Sequence, residues 1–311
     1  MVAAANRLAG RARRTPVMRS DRFDARVGRS VFFKCENLQH IGAFKYRGAT
    51  NALLRASETV TGERIVATHS SGNHGAALAR AARELGWRCL VVIPQDASAV
   101  KVEAIRAEGA ELVRCMPGLA AREAALAEIV ARTDARVIHP FDDADVIAGQ
   151  GTAALELHLE YSELQCITAP VGGGGLLSGT ALATRATVAN CRVIGAEPEV
   201  ADDAARSFHG GVRVGVVGSP PTIADGLRGS IGVQPFALFR ALVDDVVTVG
   251  EREIIQAMRI VLEDLKVLIE PSAAVPVAAL LAGRIGAPGD RVGVIVSGGN
   301  VDLGVCPYLS G

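Results

Sequence analysis

What most constrains this chain is an alternation that runs almost from end to end. Short apolar, β-branched runs at 31–35, 65–68, 89–93, 112–115, 167–171, 193–196, 246–249 and 292–296 read as strands. Between them, at 49–56, 75–85, 99–108, 120–133, 148–161, 176–187, 254–265 and 273–281, apolar residues recur near every third or fourth position, the helical spacing. Strands alternating with helices make βαβ units and mainly parallel sheets. The composition agrees: 49% of residues are hydrophobic but only 4% aromatic, so the apolar content is Ala, Val, Leu and Ile, as in parallel strands covered on both faces. At 311 residues the chain is long enough for one large domain or two intertwined ones. No internal repeat, low-complexity tract or interdomain linker interrupts it, and the Gly/Pro-rich stretch 210–221 reads as a long surface loop.

Charge and cysteine usage narrow the function classes. Lys plus Arg and Asp plus Glu both total 33, giving a formal net charge of 0, which argues against a nucleic-acid partner. Cys35, Cys89, Cys115, Cys166, Cys191 and Cys306 are scattered, without a C-x-x-C pair, and most border apolar runs. That usage suits a reduced, cytoplasmic compartment. No apolar stretch approaches a membrane span. The N-terminus is basic through Arg7, Arg11, Arg13, Arg14 and Arg19, as a transit peptide would be, but it lacks an apolar signal core and runs straight into the first strand. It is read as the first helix of the fold.

Parallel sheets bind ligands at the carboxyl ends of their strands, and the unusual motifs lie there. Gly42-Ala-Phe-Lys-Tyr-Arg-Gly48 sets Lys45 between Phe44 and Tyr46 at a helix start. Partial shielding from water disfavours an ammonium, and a neutral amine can form a Schiff base with an aldehyde; the other reading is a solvated surface lysine. His69-Ser-Ser-Gly-Asn-His-Gly75 follows a strand and opens a helix, so its backbone amides with Ser70, Ser71, Asn73 and His74 suit a carboxylate, or form a simple cap. Gly172-Gly-Gly-Gly175 before Leu176 can curl its N–H groups around a phosphate, although a flexible turn has the same composition. Ser297-Gly-Gly-Asn300 ends the last strand, as a ligand contact or a capped turn. Glu197 and Asp203, with a carbonyl between, suit a hard divalent cation, though loop acids are commonly just solvated.

Lys45, the Ser/Asn loop, the tetraglycine and Ser-Gly-Gly-Asn, in this order, strongly resemble the fold-type II pyridoxal phosphate (PLP) enzymes. The chain looks most like the serine racemase and short threonine/serine dehydratase branches, the form without a C-terminal regulatory domain. Further matches run from Thr15-Pro-Val17 through Phe33-Lys-Cys-Glu-Asn37, His139-Pro140, Ile147-Ala-Gly-Gln-Gly-Thr152, Thr222-Ile-Ala-Asp-Gly226 and Ile269-Glu-Pro-Ser272 to Asn300-Val-Asp302. The resemblance implies an α/β fold of the tryptophan synthase beta-like type, with two open, mainly parallel sheets flanked by helices. A small domain, 65–142, would be inserted into a large PLP-binding domain of 1–64 and 143–311, with PLP in the cleft between.

By the same resemblance Lys45 would hold PLP as a Schiff base and take the α-proton. Phe44 would pack beside the ring, Asn73 would bond its phenolic oxygen and Ser297 would face its pyridine nitrogen. Gly172, Gly173, Gly174, Gly175 and the amide of Leu176 would cradle the phosphate. Ser70, Ser71, Asn73 and His74 would hold the substrate carboxylate, with Arg122 in reach of it. Glu197, the Ala201 carbonyl and Asp203 would bind Mg²⁺ or Ca²⁺, or Mn²⁺. A homodimer acting on a small amino acid is implied, with no nucleic-acid or membrane partner.

Phe141 looks like the dehydratase branch, whereas racemases carry Asn there, and Gly229 stands where mammalian racemases have a serine. The expected reaction is therefore conversion of a threonine- or serine-type β-hydroxy amino acid to a 2-oxo acid and ammonia. The alternatives are serine racemisation, with Ser71 as the acid on the opposite ring face, and dehydration of 3-hydroxyaspartate. From another class, a nucleotide-binding α/β regulator without PLP would share the strand–helix alternation.

Overall fold

A computed structural model describes residues 1–70 and 72–305. Six strands form the larger sheet: β1 (Val17–Met18), β2 (Ser30–Cys35), β7 (Cys166–Pro170), β8 (Arg192–Pro198), β9 (Asp245–Val249) and β10 (Arg291–Val296), in the order β1-β2-β10-β7-β8-β9. All pairs are parallel except β1 against β2. Four more, β3 (Ile65–His69), β4 (Arg88–Pro94), β5 (Glu111–Cys115) and β6 (Arg136–Val137), make a second, wholly parallel sheet in the order β5-β4-β3-β6. The expected strands are all present; β1 and β6, two residues each, are additional and too short to show a period.

The helices are α1 (Val2–Leu8), α2 (Asp21–Val27), α3 (Lys45–Ser57), α4 (Asn73–Leu85), α5 (Ala99–Ala107), α6 (Leu119–Thr133), α7 (Ala144–Glu160), α8 (Gly175–Thr187), α9 (Asp203–Gly210), α10 (Val233–Leu242), α11 (Glu251–Leu265) and α12 (Pro271–Leu281). Local chemistry sets several ends. Ser20 caps α2 by accepting from the Phe23 amide at 3.3 Å, and Gly28, at φ 63°, closes it in the left-handed conformation. Asp143 caps α7 through the amides of Asp145 and Val146 at 2.8 and 3.0 Å. The basic N-terminus does enter a helix, α1, whose Ala4 and Leu8 are buried.

Register decides where the site forms. Val296 pairs with Cys35, Val294 with Thr168 and Pro170 with Ala196, so β2, β10, β7 and β8 finish along one edge. The segments after them, carrying Lys45, Ser297, the glycines and the acidic loop, emerge there together. Apolar side chains fill both faces of the larger sheet. α12 is buried along almost its whole length on one face, while Leu157, Leu177 and Phe239 from α7, α8 and α10 lie in the core on the other. α3 joins the two sheets: its Tyr46, Ala49 and Leu53 share a core with Val66, Ala77 and Val91 of the smaller sheet's layer and with Val146 of α7.

An ion quartet, buried except at half-buried Glu156, fixes the start of α3. Arg47 reaches both oxygens of Glu36 at 2.7 and 2.8 Å and Glu156 at 2.6 Å, and Lys34 meets Glu156 at 2.6 Å. Two cations balance two anions, so no buried charge is left over. Removing one member of such a set costs about 3–5 kcal/mol, because its partner stays buried and unpaired. Among the described residues no helix is long and apolar enough to cross a membrane.

Candidate active site

Lys45 opens α3 half-buried, and its Nζ donates to the Pro140 carbonyl at 2.8 Å. Burial pushes the amine down to about 8, with Glu270 pulling weakly the other way. A larger share of it is therefore neutral near physiological pH than an ordinary lysine would allow. The Phe44 ring lies 5.1 Å from Nζ, and the Phe44 amide donates to the Ser297 carbonyl at 2.9 Å. Ala43 also bridges Gly298, so the lysine segment is stitched to the end of β10. Ser297 is buried there.

The polar loop joins these from the smaller sheet. The Ser70 hydroxyl accepts from the Gly72 amide at 3.3 Å, and α4 starts at Asn73 with no side-chain cap on its amides. Ser71 lies outside the described residues. His74 is buried, with Nε2 against the Ile138 carbonyl at 3.3 Å, and burial together with the Lys45 charge holds it well below the usual histidine range. Neutral with Nε2–H as donor, it keeps a lone pair on Nδ1, a buried atom without a hydrogen-bond partner among the described residues. Burial also lowers His69, to about 4, and His139; the two rings meet edge to face at 5.7 Å. Arg122 on α6 is half-buried and turns Nε toward its own helix at Gly118; its charge is felt at His69, yet it makes no hydrogen bond to the described residues of the loop.

The tetraglycine leads into α8. Gly174 has φ 87°, and a β-carbon there would stand 2.7 Å from Pro235. One on Gly173 would run into the Phe141 ring, and one on Gly172 would lie 3.0 Å from the Leu227 Cα. Only glycine lets this backbone curl so tightly, and no side chain caps the first turn of α8, where Gly175 and Leu176 are buried. Uncapped amides at the positive end of a 13-residue helix fit a phosphate. With a partly neutral lysine alongside, the residues fit a phosphorylated aldehyde such as PLP.

Glu197 and Asp203 are each 1% exposed. Glu197 accepts from the Ala205 and Ala204 amides at 2.6 and 3.3 Å, and Asp203, at the start of α9, from the Ile231 amide at 2.8 Å. Burial pushes Glu197 up to about 9 and Asp203 to about 6. Ala201 lies between them in a short 3-10 turn. Among the described residues, no three His, Cys, Asp or Glu side chains converge as a metal-holding group. A hard cation here would take carbonyl and water oxygens beside the two carboxylates, a donor set that suits Mg²⁺.

Sequence reasoning missed Glu270, quoted above only as part of a motif. Its carboxylate is buried, accepts from Asn73 Nδ2 at 3.1 Å on each oxygen, and is felt electrostatically at Lys45. Nothing local marks it, since its burial comes from the convergence of α4, α12 and the loop after β10. Of the cysteines, Cys35, Cys89, Cys166 and Cys191 are buried and free, Cys115 is half-buried and free, and Cys306 lies outside the described residues.

Comparison with known proteins carries the same pattern over nearly the whole chain. Residues 8–298 match the family model described as pyridoxal-phosphate dependent enzyme. The chain is 42% identical to a beta-hydroxyaspartate dehydratase of Paracoccus denitrificans over 308 residues, covering 99% of this chain and 97% of that one. It is 44% identical to a serine racemase of Dictyostelium discoideum over 293 residues, covering 93% and 90%. The solved structure of maize serine racemase superposes with a TM-score of 0.93 at 42% identity, covering 98% of this chain and 93% of that one. A half-buried lysine, a glycine turn bare of side chains and two mainly parallel sheets accompany a kinship spanning the chain, which belongs to the pyridoxal-phosphate-dependent enzymes of fold type II, among the serine racemases and hydroxy amino acid dehydratases.

Proposed function

We propose that this protein is a PLP-dependent dehydratase, an ammonia-lyase that converts a threonine- or serine-type β-hydroxy amino acid to a 2-oxo acid and ammonia. The observation that carries the reading is the half-buried Lys45 amine, held at the Pro140 carbonyl and lowered to about 8. PLP, when bound, supplies an electron sink that makes the substrate α-carbon acidic. Lys45 takes that proton, and the Pro140 carbonyl accepts a hydrogen bond from the ammonium that results. Ser70, Asn73, His74 and the amides opening α4 hold the substrate carboxylate, with Ser71 assigned to the same loop. Gly172 to Gly175 and the Leu176 amide hold the cofactor phosphate, Phe44 lies beside the ring and Asn73 donates to its phenolic oxygen. Ser297 offers a neutral hydroxyl to the pyridine nitrogen, a weaker electron sink than a carboxylate partner would make, which favours expelling a β-leaving group. Net, the β-hydroxyl departs as water, and hydrolysis of the resulting enamine releases ammonia.

Phe141, the residue that resembles the dehydratase branch, favours elimination over racemisation; its ring stands over Gly173 and meets His139 edge to face at 4.6 Å. The Paracoccus relative favours a second reading, 3-hydroxyaspartate as substrate, in which Arg122 takes the additional carboxylate. Serine racemisation, the activity named for the Dictyostelium relative, would need Ser71 as the opposite acid. A panel of D- and L-serine, D- and L-threonine and the 3-hydroxyaspartate diastereomers, scored separately for keto acid and for enantiomer, tests all three. L-Serine or L-threonine is expected to give keto acid faster than enantiomer. Faster racemisation than elimination sinks the dehydratase assignment, and turnover confined to hydroxyaspartate moves the substrate to the second reading.

The reading extends to a divalent cation, Mg²⁺ with Ca²⁺ or Mn²⁺ as substitutes, at Glu197, the Ala201 carbonyl and Asp203. It also includes a cytoplasmic homodimer with no nucleic-acid or membrane partner, and a small domain at 65–142 inserted into a large one of 1–64 and 143–311. Light scattering giving a monomer's mass would remove the dimer.

A further inference from the structure

Three polar side chains around the cleft form a chain whose polarity has one solution. The Ile41 carbonyl can only accept, and Asn300 Nδ2 donates to it at 2.7 Å. The same nitrogen gives its second hydrogen to Asn73 Oδ1 at 2.9 Å. Asn73 therefore turns Nδ2 the other way, onto the two oxygens of Glu270 at 3.1 Å each, and an ionised carboxylate can only accept. Glu270 is itself held in place. Its Oε2 accepts from the Asn300 backbone amide at 3.2 Å, and its own amide donates to the Gly298 carbonyl at 3.0 Å. Residue 298 has to be glycine here, since a β-carbon would stand 2.7 Å from the Glu270 carboxylate. Reversing the Asn73 amide would set donor against donor at Asn300 and acceptor against acceptor at Glu270.

One Nδ2 hydrogen is shared between the two carboxylate oxygens, which leaves the other free. We infer that Glu270 is a positioning residue that, with Asn300, locks the Asn73 amide so that an N–H rather than a C=O is presented to the phenolic oxygen of PLP. The inference rests on the proposed assignment of Asn73 to that oxygen. A donated hydrogen bond favours the ionised form of the oxygen, and a facing carbonyl disfavours it. The negative charge of Glu270 acts in the opposite sense by repelling the same anion. Orientation and charge therefore predict shifts of opposite sign when Glu270 is neutralised.

The test uses the PLP-loaded protein at one pH and reads the ratio of its visible band, from the ionised form, to its near-ultraviolet band. Glu270→Gln keeps the shape, and since its one oxygen is drawn to the Asn300 amide, its NH₂ takes the place of Oε1 and replaces one of the two acceptors of Asn73 Nδ2 by a donor. The ratio is expected to fall by roughly twofold or more, the effect of about 0.4 kcal/mol. A ratio that rises shows that Glu270 acts only through its charge, and an unchanged ratio shows that it does not act on Asn73; either overturns the inference. Should Glu270→Gln not fold, Asn300→Ala decides: it removes the orienting donor at an exposed position without changing charge. A fall in the ratio then supports the lock, and no change refutes it. Wild-type protein that takes up PLP without any visible band would instead remove the lysine–cofactor assignment on which the inference stands.

Discussion

At the scale of single residues, the chemistry depends on an amine that folding holds partly neutral. Because burial lowers Lys45 to about 8, capture of PLP by the cofactor-free protein should speed up as pH rises and level off above about 8. An ordinary lysine would go on gaining up to its usual 10.5. Stopped-flow absorbance across that range measures the midpoint, and Lys45→Ala should show neither the band nor keto acid while keeping its melting temperature. A midpoint near 10 would mean that the amine is solvated. Lys45 was legible because it sits between two aromatics at a helix start. Glu270 was not, since an acid before a proline looks the same whether solvated or buried, and only the approach of Asn73 and Asn300 from distant parts of the chain identifies it.

Among elements, the tetraglycine turn into α8 is the one whose sequence and geometry agree most closely. Gly174→Asp would force a side chain into a φ of 87°, against Pro235, and add a negative charge where the phosphate charge must sit. PLP affinity should fall by roughly tenfold or more, about 1.4 kcal/mol, in a fluorescence titration. An unchanged affinity would move the phosphate elsewhere. Helices with a clean apolar stripe were readable to within a few residues, whereas α9 and α10 were not. α9 begins at Asp203, inside what reads as an acidic loop, and α10 carries Pro235 within its first turn. β1 and β6 owe their existence to neighbours: two residues have no period, and only pairing with β2 and β3 makes them strands. The carboxyl-end placement of the motifs survived these omissions because it depends on the long central strands.

For the whole molecule, the pair Glu197 and Asp203 ties stability to pH, and the proposed cation would couple to the same pair. Burial raises both in the metal-free fold, to about 9 and about 6, so folding favours their protonated forms. That contribution is full below the unfolded carboxylate values of 4.5 and 3.8 and is lost as pH rises through about 6 and then about 9. A bound cation compensates the ionised pair and removes the loss. Millimolar Mg²⁺ should thus raise the melting temperature more at pH 8.5 than at pH 6, by a few degrees in calorimetry, and a chelator should reverse it. Equal curves with and without Mg²⁺ at both pH values would return the two acids to a purely structural role.

The order of strands in the larger sheet has a consequence for how the protein is made. β10 is the last strand in sequence yet stands between β2 and β7, pairing Val292 with Val31 and with Cys166. During synthesis the lysine segment and the tetraglycine turn both leave the ribosome before the strand that joins their supports, β2 and β7. The nascent chain must leave one edge of β2, the one away from β1, unpaired until β10 is made, and long-range parallel pairing of this kind is slow to form. Neither the Ser297 anchor of Phe44 nor the Glu270–Asn300 contact exists until residue 300 is available. The contacts that steady the proposed cofactor site therefore form only after residue 300 has been made.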